Sequence, residues 1–459
     1  MTNFERWLSY TSGLPSPQNY IEWSWRYLIG AALQRRVWIG SPHQKESEEH
    51  QPCFANSYVI LVGNPGTGKG LPIREVSNFL KFWKLKDAIK IAENLTNQQQ
   101  KETAATVAAD DLKMAKDHEL QTRNKQNNIV EPLLIPVAAD ATTYEALVEA
   151  VANSYRRVNY ISKDKDGNPK LGIYGHSSIC FSLQELASLL RKRTDDTVNY
   201  MLGLYDCPVD YEYSTKTQGK DRVRRGCLNL LAGTTPGFMQ SIFNDELIDE
   251  GFSSRSFFIY ANKKRFSTFF IAPLTPEQIE QRTHLLDHIR QLTALYGNVK
   301  IDPETYEFLA KWWNDYEKDM HKRVNNSPKL LPYYARKNIH VMKVAMQEHF
   351  SESLDLHIPL DTFKKAIEIL AEEEKNMHLA ITLEGKNPLS NISRKVLELL
   401  EAEPKNFVDL HVDTFSIADK KQLEDALTFL IETGQVEPEP RVDETTDTSV
   451  NYFKLKGRK

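Results

Sequence analysis

Apolar and polar residues follow two alternating patterns in the first part of the chain. SYVILVG at 57–63 is a short, fully apolar run of the kind found in buried parallel strands. LPIREVSNFLKFW at 71–83 continues as an amphipathic helix. DATTYEALVEAVANSY predicts another helix, capped by Thr142 or Thr143. Further strands are predicted at PLLIPVAA, SSICFSL, CLNLLAGTTP and RSFFIYAN. Strands alternating with helices predict a three-layer α/β core with a parallel sheet over 55–271.

Different patterns flank this core. Residues 1–54 carry apolar residues at helical spacing and predict an N-terminal helical segment. Residues 84–130 are polar with weak helical periodicity, which predicts a surface helical insertion. Four amphipathic stretches over 272–385 predict an all-helical lid or bundle. Over 386–459 the order helix, helix, Gly434 turn, strand, acidic loop, strand is typical of a winged-helix domain, and a generic small α+β cap gives the same order.

Composition and charge limit the partners and the compartment. The chain has 459 residues and a net charge of −4, so a nucleic-acid surface has to be local. Its 4 cysteines include no CxxC pair, which argues against a zinc site and fits a reducing compartment. The N-terminus lacks the apolar core of a signal peptide, and no apolar run approaches the roughly 20 residues that span a bilayer. We therefore expect a cytoplasmic protein of a bacterial or phage-infected cell, without a membrane partner.

A glycine-rich motif, VGNPGTGKG, follows the first apolar strand. Gly63, Gly66 and Gly68 are expected to allow positive φ angles and close backbone approach. Consecutive N–H groups and a helix N-terminus then cradle phosphate oxygens, and Lys69 reaches the β and γ phosphates. Contacts to ATP are expected from Gly63, Asn64, Pro65, Gly66, Thr67, Gly68, Lys69 and Gly70. The alternative is a structural turn that binds nothing.

The residue after Lys69 departs from this motif. A Ser or Thr hydroxyl usually ligates magnesium there, and this chain has Gly70. Mg²⁺ keeps several waters and can be held through one carboxylate plus phosphates, so the change alone does not argue against hydrolysis. Thr67 is an alternative hydroxyl for the metal.

A second departure follows the strand SSICFSL. P-loop NTPases normally place two acids there, one supporting magnesium and one polarising the attacking water. Gln184 and Glu185 stand at these positions, so the first acid is an amide. Glu185 is then the expected water-activating base and metal ligand. The alternative is an ordinary first-turn helix acid, favoured by the helix dipole.

Two further features carry candidate chemistry at the ends of strands. CLNLLAGTTP ends in Thr234 and Thr235, where a polar side chain can sense the γ phosphate and orient water. A helix N-cap is the alternative, and each threonine can serve one purpose. Arg255 precedes the strand RSFFIYAN, and its guanidinium suits phosphate recognition as an arginine finger in a neighbouring subunit's site. Arg336 is a second candidate for sensing nucleotide state, and a surface salt bridge is the alternative for Arg255.

A basic hairpin is predicted at VDYEYSTKTQGKDRVRRG, residues 209–226. Tyrosines alternate on its first half, and Gly219 lies at its polar tip. Five basic residues and one acid between Ser214 and Arg225 give a local charge of +4. The residues that could grip a phosphate backbone are Lys216, Lys220, Arg222, Arg224 and Arg225. A solvated hairpin tip is the alternative.

The order of these parts resembles an AAA+ ATPase. More narrowly, it resembles the superfamily-three-like replicative helicases and primase-helicases of phages and other mobile elements. The resemblance runs from about residue 8 to 260 and is weaker in YYARKNIHVMKVAM. The segments that carry it are WLSYTSGLPSPQNYIEW, LQRRVWIG, NSYVILVGNPGTGKG, AADATTYEAL, QELASLL, YDCPVDYEYSTKTQG, CLNLLAGTTP and GFSSRSFFIY.

This resemblance implies roles for single residues. It implies nucleotide contact by 64–70, hydrolysis support from Glu185, a sensor at Thr234, an arginine finger at Arg255 and a DNA-gripping hairpin. Gly70 and Gln184 depart from the family pattern and put the metal site and the turnover rate in question. Since no primase segment precedes residue 54, any priming is expected from a primase or replisome partner.

The sequence thus predicts a ring-forming, hexameric, ATP- and Mg²⁺-dependent motor on single-stranded DNA, a replicative helicase of a phage or mobile element. One rival is an AAA+ switch that remodels or regulates a protein partner. The other is a non-hydrolysing DNA-binding initiator, which uses the C-terminal domain and a degenerate nucleotide site. The departures at Gly70 and Gln184 favour this last alternative.

Overall fold

The chain divides into two compact units, Met1–Ile381 and Thr382–Lys459. A computed structural model describes most of both units. The described residues are 1–40, 52–87, 109, 112–113, 132–139, 143–163, 169–190, 194–215, 219–242, 251–324, 330–381, 388–415, 417–443 and 448–456. No helix among these residues is long and apolar enough to cross a membrane.

The larger unit is built from helices around a central sheet. Its helices are α1 (Asn3–Tyr10), α2 (Gln18–Leu33), α3 (Gly70–Leu80), α4 (Tyr144–Asn153), α5 (Ala187–Leu190), α6 (Thr194–Tyr205), α7 (Pro236–Ile242), α8 (Pro276–Leu292), α9 (Pro303–Val324), α10 (Leu331–Tyr334), α11 (Lys337–Glu352) and α12 (Leu360–Ile381). Its strands are β1 (Val37–Ile39), β2 (Cys53–Phe54), β3 (Tyr58–Val62), β4 (Tyr155–Lys163), β5 (Pro169–Leu183), β6 (Asp210–Thr215), β7 (Gly219–Arg224), β8 (Gly226–Thr234), β9 (Ser256–Tyr260) and β10 (Gly297–Asn298).

The central sheet has five strands in the order β4-β5-β8-β3-β9. β5, β8, β3 and β9 run parallel, with Tyr58 paired to Ser256 and Val62 paired to both Tyr260 and Thr234. β3 and β8 are buried along their whole length, as their continuous apolar sequences require. The predicted parallel α/β core is therefore present, with β8 between the glycine-loop strand and the strand that ends before Gln184.

The sheet differs from the prediction at one edge. β5 extends back to Pro169 and pairs antiparallel with β4, a strand that the sequence did not suggest. The predicted strand PLLIPVAA forms no ladder in the described part of the chain, and it joins this sheet through an isolated parallel bridge between Val137 and Cys180. Pro136 has no N–H to donate, which shortens the ladder at this point.

The start of the polar segment 84–130 lies beside the chain that follows the segment. Lys84 and Leu133 form an antiparallel bridge, and Leu134 N donates to Trp83 O at 3.0 Å. Residues 83–85 and 132–134 are therefore neighbours in the structure. Almost all of the segment lies outside the described residues, and so does its predicted helical character.

The helices after residue 272 pack on the rest of the larger unit. α11 packs against α2 and α12, and α12 also packs against β9. Buried polar pairs join these elements: Arg26 of α2 bonds Glu348 of α11 at 2.7 Å, and Trp23 Nε1 donates to Glu373 of α12 at 3.1 Å. Strand structure does not end at 272, because β10 pairs in parallel with β1.

The smaller unit has its own apolar core. Its elements are α13 (Pro388–Ala402), β11 (Lys405–Asn406), α14 (Phe407–Thr414), α15 (Lys420–Glu432), β12 (Val436–Asp443) and β13 (Thr448–Leu455). The sheet order is β11-β13-β12. Gly434 has a φ of +70° and turns the chain from α15 into β12, as the sequence predicts.

Candidate nucleotide site

The glycine loop joins β3 to α3 at the carboxyl end of the sheet. Gly66 and Gly68 have φ angles of +84° and +89°, which side-chain-bearing residues rarely adopt. Gly63 meets only one of the two expectations, the close approach of neighbouring atoms. It does not have a positive φ, but a Cβ there would lie 2.5 Å from the Tyr20 hydroxyl and 2.6 Å from Ala261 O.

Lys69 closes over the loop that precedes it. Its Nζ donates to Gly63 O at 2.6 Å and to Asn64 O at 3.1 Å. Burial lowers the pKa of Lys69, and the negative charge of Glu185 acts in the opposite direction. The Lys69 ammonium group thus lies within the glycine loop, close enough to Glu185 for the carboxylate charge to affect its pKa.

Two residues of the N-terminal segment donate hydrogen bonds to the backbone of this loop and of the strand before it. The Tyr20 hydroxyl donates to Val62 O at 2.6 Å, and Ser16 Oγ donates to Gly68 O at 2.7 Å. Sequence reasoning did not assign these roles. Both residues lie in LPSPQNYIEW, where polar residues stand among apolar ones, and that pattern is the signal in the sequence that could have found them.

The same segment links the site to α12. Asn19 Nδ2 donates to Tyr260 O at 3.0 Å and to the Glu373 carboxylate at 3.1 Å. Burial raises the pKa of Glu373 to about 7. A buried titratable group therefore lies one hydrogen bond away from a residue that also bonds the end of β9.

Gln184 and Glu185 follow the end of β5 directly, as predicted, and both are exposed. Leu186 N donates to Gly233 O at 2.7 Å, which brings this turn across the end of β8. Gln184 Nε2 donates to Gly70 O at 3.1 Å. The two positions that depart from the family pattern are therefore in contact.

The two threonines after β8 have separate surroundings. Thr235 Oγ1 accepts from Phe238 N at 3.3 Å and caps α7, as one of the two interpretations requires. Thr234 is buried, and its backbone oxygen accepts from Gly63 N at 3.2 Å. Its Oγ1 has no hydrogen-bond partner among the described residues. A buried hydroxyl without a partner beside a phosphate loop is suited to a bound phosphate or water.

The donor set of the described residues suits magnesium that is bound together with a nucleotide. Among the described residues, no group of three or more His, Cys, Asp or Glu could hold a metal. The Thr67 hydroxyl, a candidate ligand from the sequence, is buried and donates to Asn64 O at 2.9 Å within the loop. Gln184, which contacts Gly70, and Glu185, which acts on Lys69, are the oxygen donors that would hold magnesium, and phosphates and water would complete the shell.

Arg255 and Arg336 meet on a carboxylate that sequence reasoning missed. Arg255 Nη2 donates to Asp206 Oδ2 at 2.6 Å, and Arg336 Nη2 donates to Asp206 Oδ1 at 2.7 Å. Burial alone raises the pKa of Asp206, but the two arginines outweigh it and hold the pKa below its ordinary value. No local pattern marks Asp206, which only the fold brings to the two arginines.

This arginine pair lies at the end of the sheet opposite to the phosphate loop. Arg255 precedes Ser256, which pairs with Tyr58 at the start of β3, whereas the loop follows Val62. About six residues of strand separate the two levels, or roughly 20 Å at 3.3 Å per residue. A guanidinium cannot cover that distance, so neither arginine reaches the subunit's own loop.

The surroundings of the pair are fixed. Lys343 of α11 donates to Phe54 O at 2.9 Å and to Asn56 Oδ1 at 2.7 Å, next to β3. Its Nζ lies 4.3 Å from the ring centroid of Tyr205, and the guanidinium of Arg336 lies 5.8 Å from the same ring. These contacts pack Arg336 and Lys343 against the Tyr205 ring at the amino end of the strands.

The predicted basic hairpin is formed by β6 and β7, with Asp210 opposite Arg224 and Thr215 opposite Gly219. Its base is anchored, because Tyr211 packs on Tyr200 with ring centroids 4.8 Å apart. Arg224 is exposed. Lys216 and the side chains of Lys220 and Arg222 lie outside the described part of the chain.

Arg225 differs from the other hairpin candidates. It is half-buried, with a φ of +49°. Its Nη1 donates to Gly175 O at 3.2 Å, and its guanidinium lies 4.8 Å from the ring centroid of Tyr174. These contacts tie the base of the hairpin to β5. Arg225 therefore has a structural role at the base of the hairpin, and its contact to DNA stays a prediction.

Comparisons with known proteins add little to this geometry. No family model and no curated protein matches the chain. Among solved structures, the chain is similar to the Aeropyrum pernix ORC1 protein in complex with DNA, at 12% sequence identity. The match covers 88% of this chain and 84% of that chain, with a TM-score of 0.18, which is too low to establish a shared fold.

Proposed function

We propose that this chain is an AAA+ ATPase that assembles into a hexameric ring and moves along single-stranded DNA, as a replicative helicase of a phage or mobile element. ATP binds between subunits. The phosphate loop of one subunit and the arginine pair of its neighbour form the two sides of each site.

The observation that carries the proposal is the separation of two phosphate-binding groups. The loop with Lys69, Glu185 and Thr234 lies at the carboxyl end of the sheet, and Arg255 and Arg336 lie at the other end, roughly 20 Å away. An arginine pair that cannot serve its own loop can serve a neighbour's. In a ring, every loop then receives arginines from the adjacent subunit.

Each residue has a defined task in hydrolysis. Loop N–H groups and Lys69 hold the phosphates of ATP, and the Glu185 carboxylate accepts a proton from the attacking water. The Thr234 hydroxyl orients that water. Arg255 of the neighbour stabilises negative charge that develops on the transferred phosphoryl group. Magnesium, bound with the nucleotide, neutralises phosphate charge in this site.

The hairpin supplies the contact to DNA. Its base is fixed to α6 through Tyr211 and to β5 through Arg225, so movement of the core carries the tip with it. Lys216, Lys220, Arg222 and Arg224 then bind phosphates of a single strand in the pore. Hydrolysis changes the subunit interface, and the hairpins advance along the strand.

The charge of the smaller unit argues against a DNA-binding initiator that relies on it. Residues 382–459 contain 15 acidic and 11 basic residues. The β12–β13 hairpin carries Glu437 and Glu439, which pair with Lys454 instead of leaving it for phosphates. This small excess of acid gives the smaller unit no net attraction to a DNA backbone, so an initiator would need a local basic surface on it.

Two rival functions remain distinct in their predictions. A protein-remodelling switch has the same ATP site, but its hydrolysis does not respond to DNA. An initiator without turnover is favoured by the changes at Gly70 and Gln184, and its DNA binding survives Lys69→Ala.

Steady-state ATP hydrolysis with and without single-stranded DNA separates the three functions. The motor predicts turnover that rises with DNA and is abolished in Lys69→Ala and Glu185→Gln. Turnover that ignores DNA supports the switch, and DNA binding without turnover supports the initiator. Strand separation on a forked duplex then distinguishes a helicase from a motor that only translocates.

A further inference from the structure

The two departures from the phosphate-loop pattern occupy one space. A Cβ built on Gly70 would lie 2.2 Å from Gln184 Oε1, far inside van der Waals contact. Gln184 Nε2 also donates to Gly70 O at 3.1 Å. The glutamine side chain thus fills the position from which a Ser or Thr side chain would extend at residue 70.

The backbone around the contact is ordinary, so the glycine is not there for its conformation. Gly70 begins α3 and does not belong to the glycines with positive φ. The three atoms nearest to a Cβ at this position are Oε1, Cδ and Nε2 of Gln184, and all belong to that one side chain. Glycine at residue 70 therefore leaves room for the Gln184 side chain.

The strand order explains how residues 70 and 184 meet. β8 lies between β3 and β5, and the chain after β5 crosses the end of β8 at Gly233. A Cβ on Gly233 would lie 2.6 Å from Gln184 O. This close crossing carries the glutamine toward α3, and its side chain, one methylene longer than that of Asp, spans the remaining distance.

We propose that Gly70 and Gln184 are a matched pair, in which the Gln184 amide oxygen replaces both the usual hydroxyl and the usual first carboxylate as the oxygen ligand of nucleotide-bound magnesium. Amide carbonyl oxygens are hard ligands that suit such cations. The inference rests on the proposed ATP site and deepens it. The resulting site carries one carboxylate, Glu185, so the nucleotide supplies most of the negative charge that holds the metal.

The pair makes a specific prediction for a double-mutant cycle. Gln184→Ala removes the ligand, and Gly70→Ala displaces it without adding a new oxygen. The measurement is the dissociation constant of a fluorescent ADP analogue, with magnesium and with excess chelator. We expect each single variant to weaken the magnesium-dependent part of binding roughly 10-fold or more, in the range that removal of a metal-site residue produces. Binding in excess chelator should change by no more than about 2-fold, because the phosphate cradle is unchanged.

The double variant Gly70→Ala/Gln184→Ala is expected to match either single variant, since both remove the same ligand. Gly70→Ser/Gln184→Asp restores the usual hydroxyl and carboxylate and is expected to recover the magnesium effect. Thermal melting of each variant checks folding. The displaced group in Gly70→Ala is the end of a flexible side chain, so we expect melting temperatures close to that of the wild type.

Each contrary result has one meaning. The proposal that Gly70 and Gln184 are a matched pair is overturned if Gln184→Ala shows the same magnesium effect as the wild type. It is also overturned if the effects of the two substitutions add in the double variant. Equal binding of the analogue by the wild type with magnesium and with chelator also overturns the matched pair. Nucleotide binding itself would then still be supported. A wild type that does not bind the analogue under either condition overturns the ATP site, and the pair with it.

Discussion

Asp206 Oδ2 accepts a 2.6 Å hydrogen bond from Arg255 Nη2, so the candidate arginine finger is held by a carboxylate of its own subunit. The other oxygen of Asp206 holds Arg336. Two guanidiniums side by side would repel each other without this shared anion. Asp206 is therefore a positioning residue for both.

Replacement of Asp206 by Asn should impair ring assembly and ATP turnover. The amide keeps the shape but removes the charge that balances two half-buried arginines, so we expect ATP turnover to fall about 10-fold or more and the ring to assemble poorly. Such partly buried charge-assisted bonds contribute roughly 1 to 3 kcal/mol to stability. Mass and turnover are measured on the same sample, with Asp196→Asn, an exposed acid at the start of α6, as the control. Unchanged turnover in Asp206→Asn would contradict a positioning role for Asp206.

Thr234→Val tests the buried hydroxyl. Because Oγ1 lacks a partner among the described residues, an isosteric methyl should leave stability equal or higher. Removal of a group that orients water should lower ATP turnover by roughly 100- to 1000-fold, as for other preorganised hydrogen-bond groups. Thr235→Val is the matched control, because it removes the cap of α7, at a cost of about 1 kcal/mol, and should spare turnover. A stable Thr234→Val with normal turnover would contradict the sensor role.

Charge reversal on the hairpin tests the binding of DNA. Lys220→Glu/Arg222→Glu should weaken single-stranded DNA binding and lower the slope of log affinity against log salt by roughly 0.7 for each phosphate that the hairpin no longer binds. Hydrolysis without DNA should stay at the wild-type rate, since Lys220 and Arg222 are not among the residues proposed to contact ATP. Lys318→Glu, an exposed change on α9, serves as control. An unchanged salt slope would indicate a solvated hairpin tip.

Glu373 predicts a pH dependence of stability. Burial raises its pKa from 4.5 to about 7, so between these values the folded chain binds more protons than the unfolded chain. Stability therefore falls as pH rises through this window, and the cost of roughly 3 kcal/mol is fully present above about pH 7. Glu373→Gln should flatten the fall in melting temperature between about pH 5 and pH 8. Exposed Glu372→Gln should not, and equal slopes in all three proteins would refute the shift.

Local patterns in the sequence were enough to place the elements of the site. The apolar run at 57–63, the glycine motif and the alternation at 209–226 each depend on neighbouring residues, and the structure has the strand, loop, helix and hairpin that they predict. Thr235 as a helix cap also follows from its immediate neighbours. Hydrophobic periodicity is a short-range signal, so such features can be predicted without knowledge of the tertiary contacts.

Long-range contacts could not be predicted in the same way. Gly70 and Gln184 appeared as two separate defects, because only the strand order brings residues 114 positions apart into contact. Asp206 was missed for the same reason. Gly63 was assigned a positive φ that it does not have, since crowding by Tyr20 is invisible in the motif. β4 was missed because its polar and charged residues do not alternate regularly.

Mixed-subunit hydrolysis tests the central claim most directly, namely that each ATP site is shared between two subunits. Lys69→Ala lacks the loop lysine and Arg255→Ala lacks the finger, so each should be inactive alone in the presence of single-stranded DNA. Mixed rings contain interfaces with an intact loop facing an intact Arg255, and turnover should reappear, with a maximum near equal amounts of the two variants. Wild-type turnover by Arg255→Ala alone, or no recovery at any ratio despite co-assembly, would contradict a site built from neighbouring subunits.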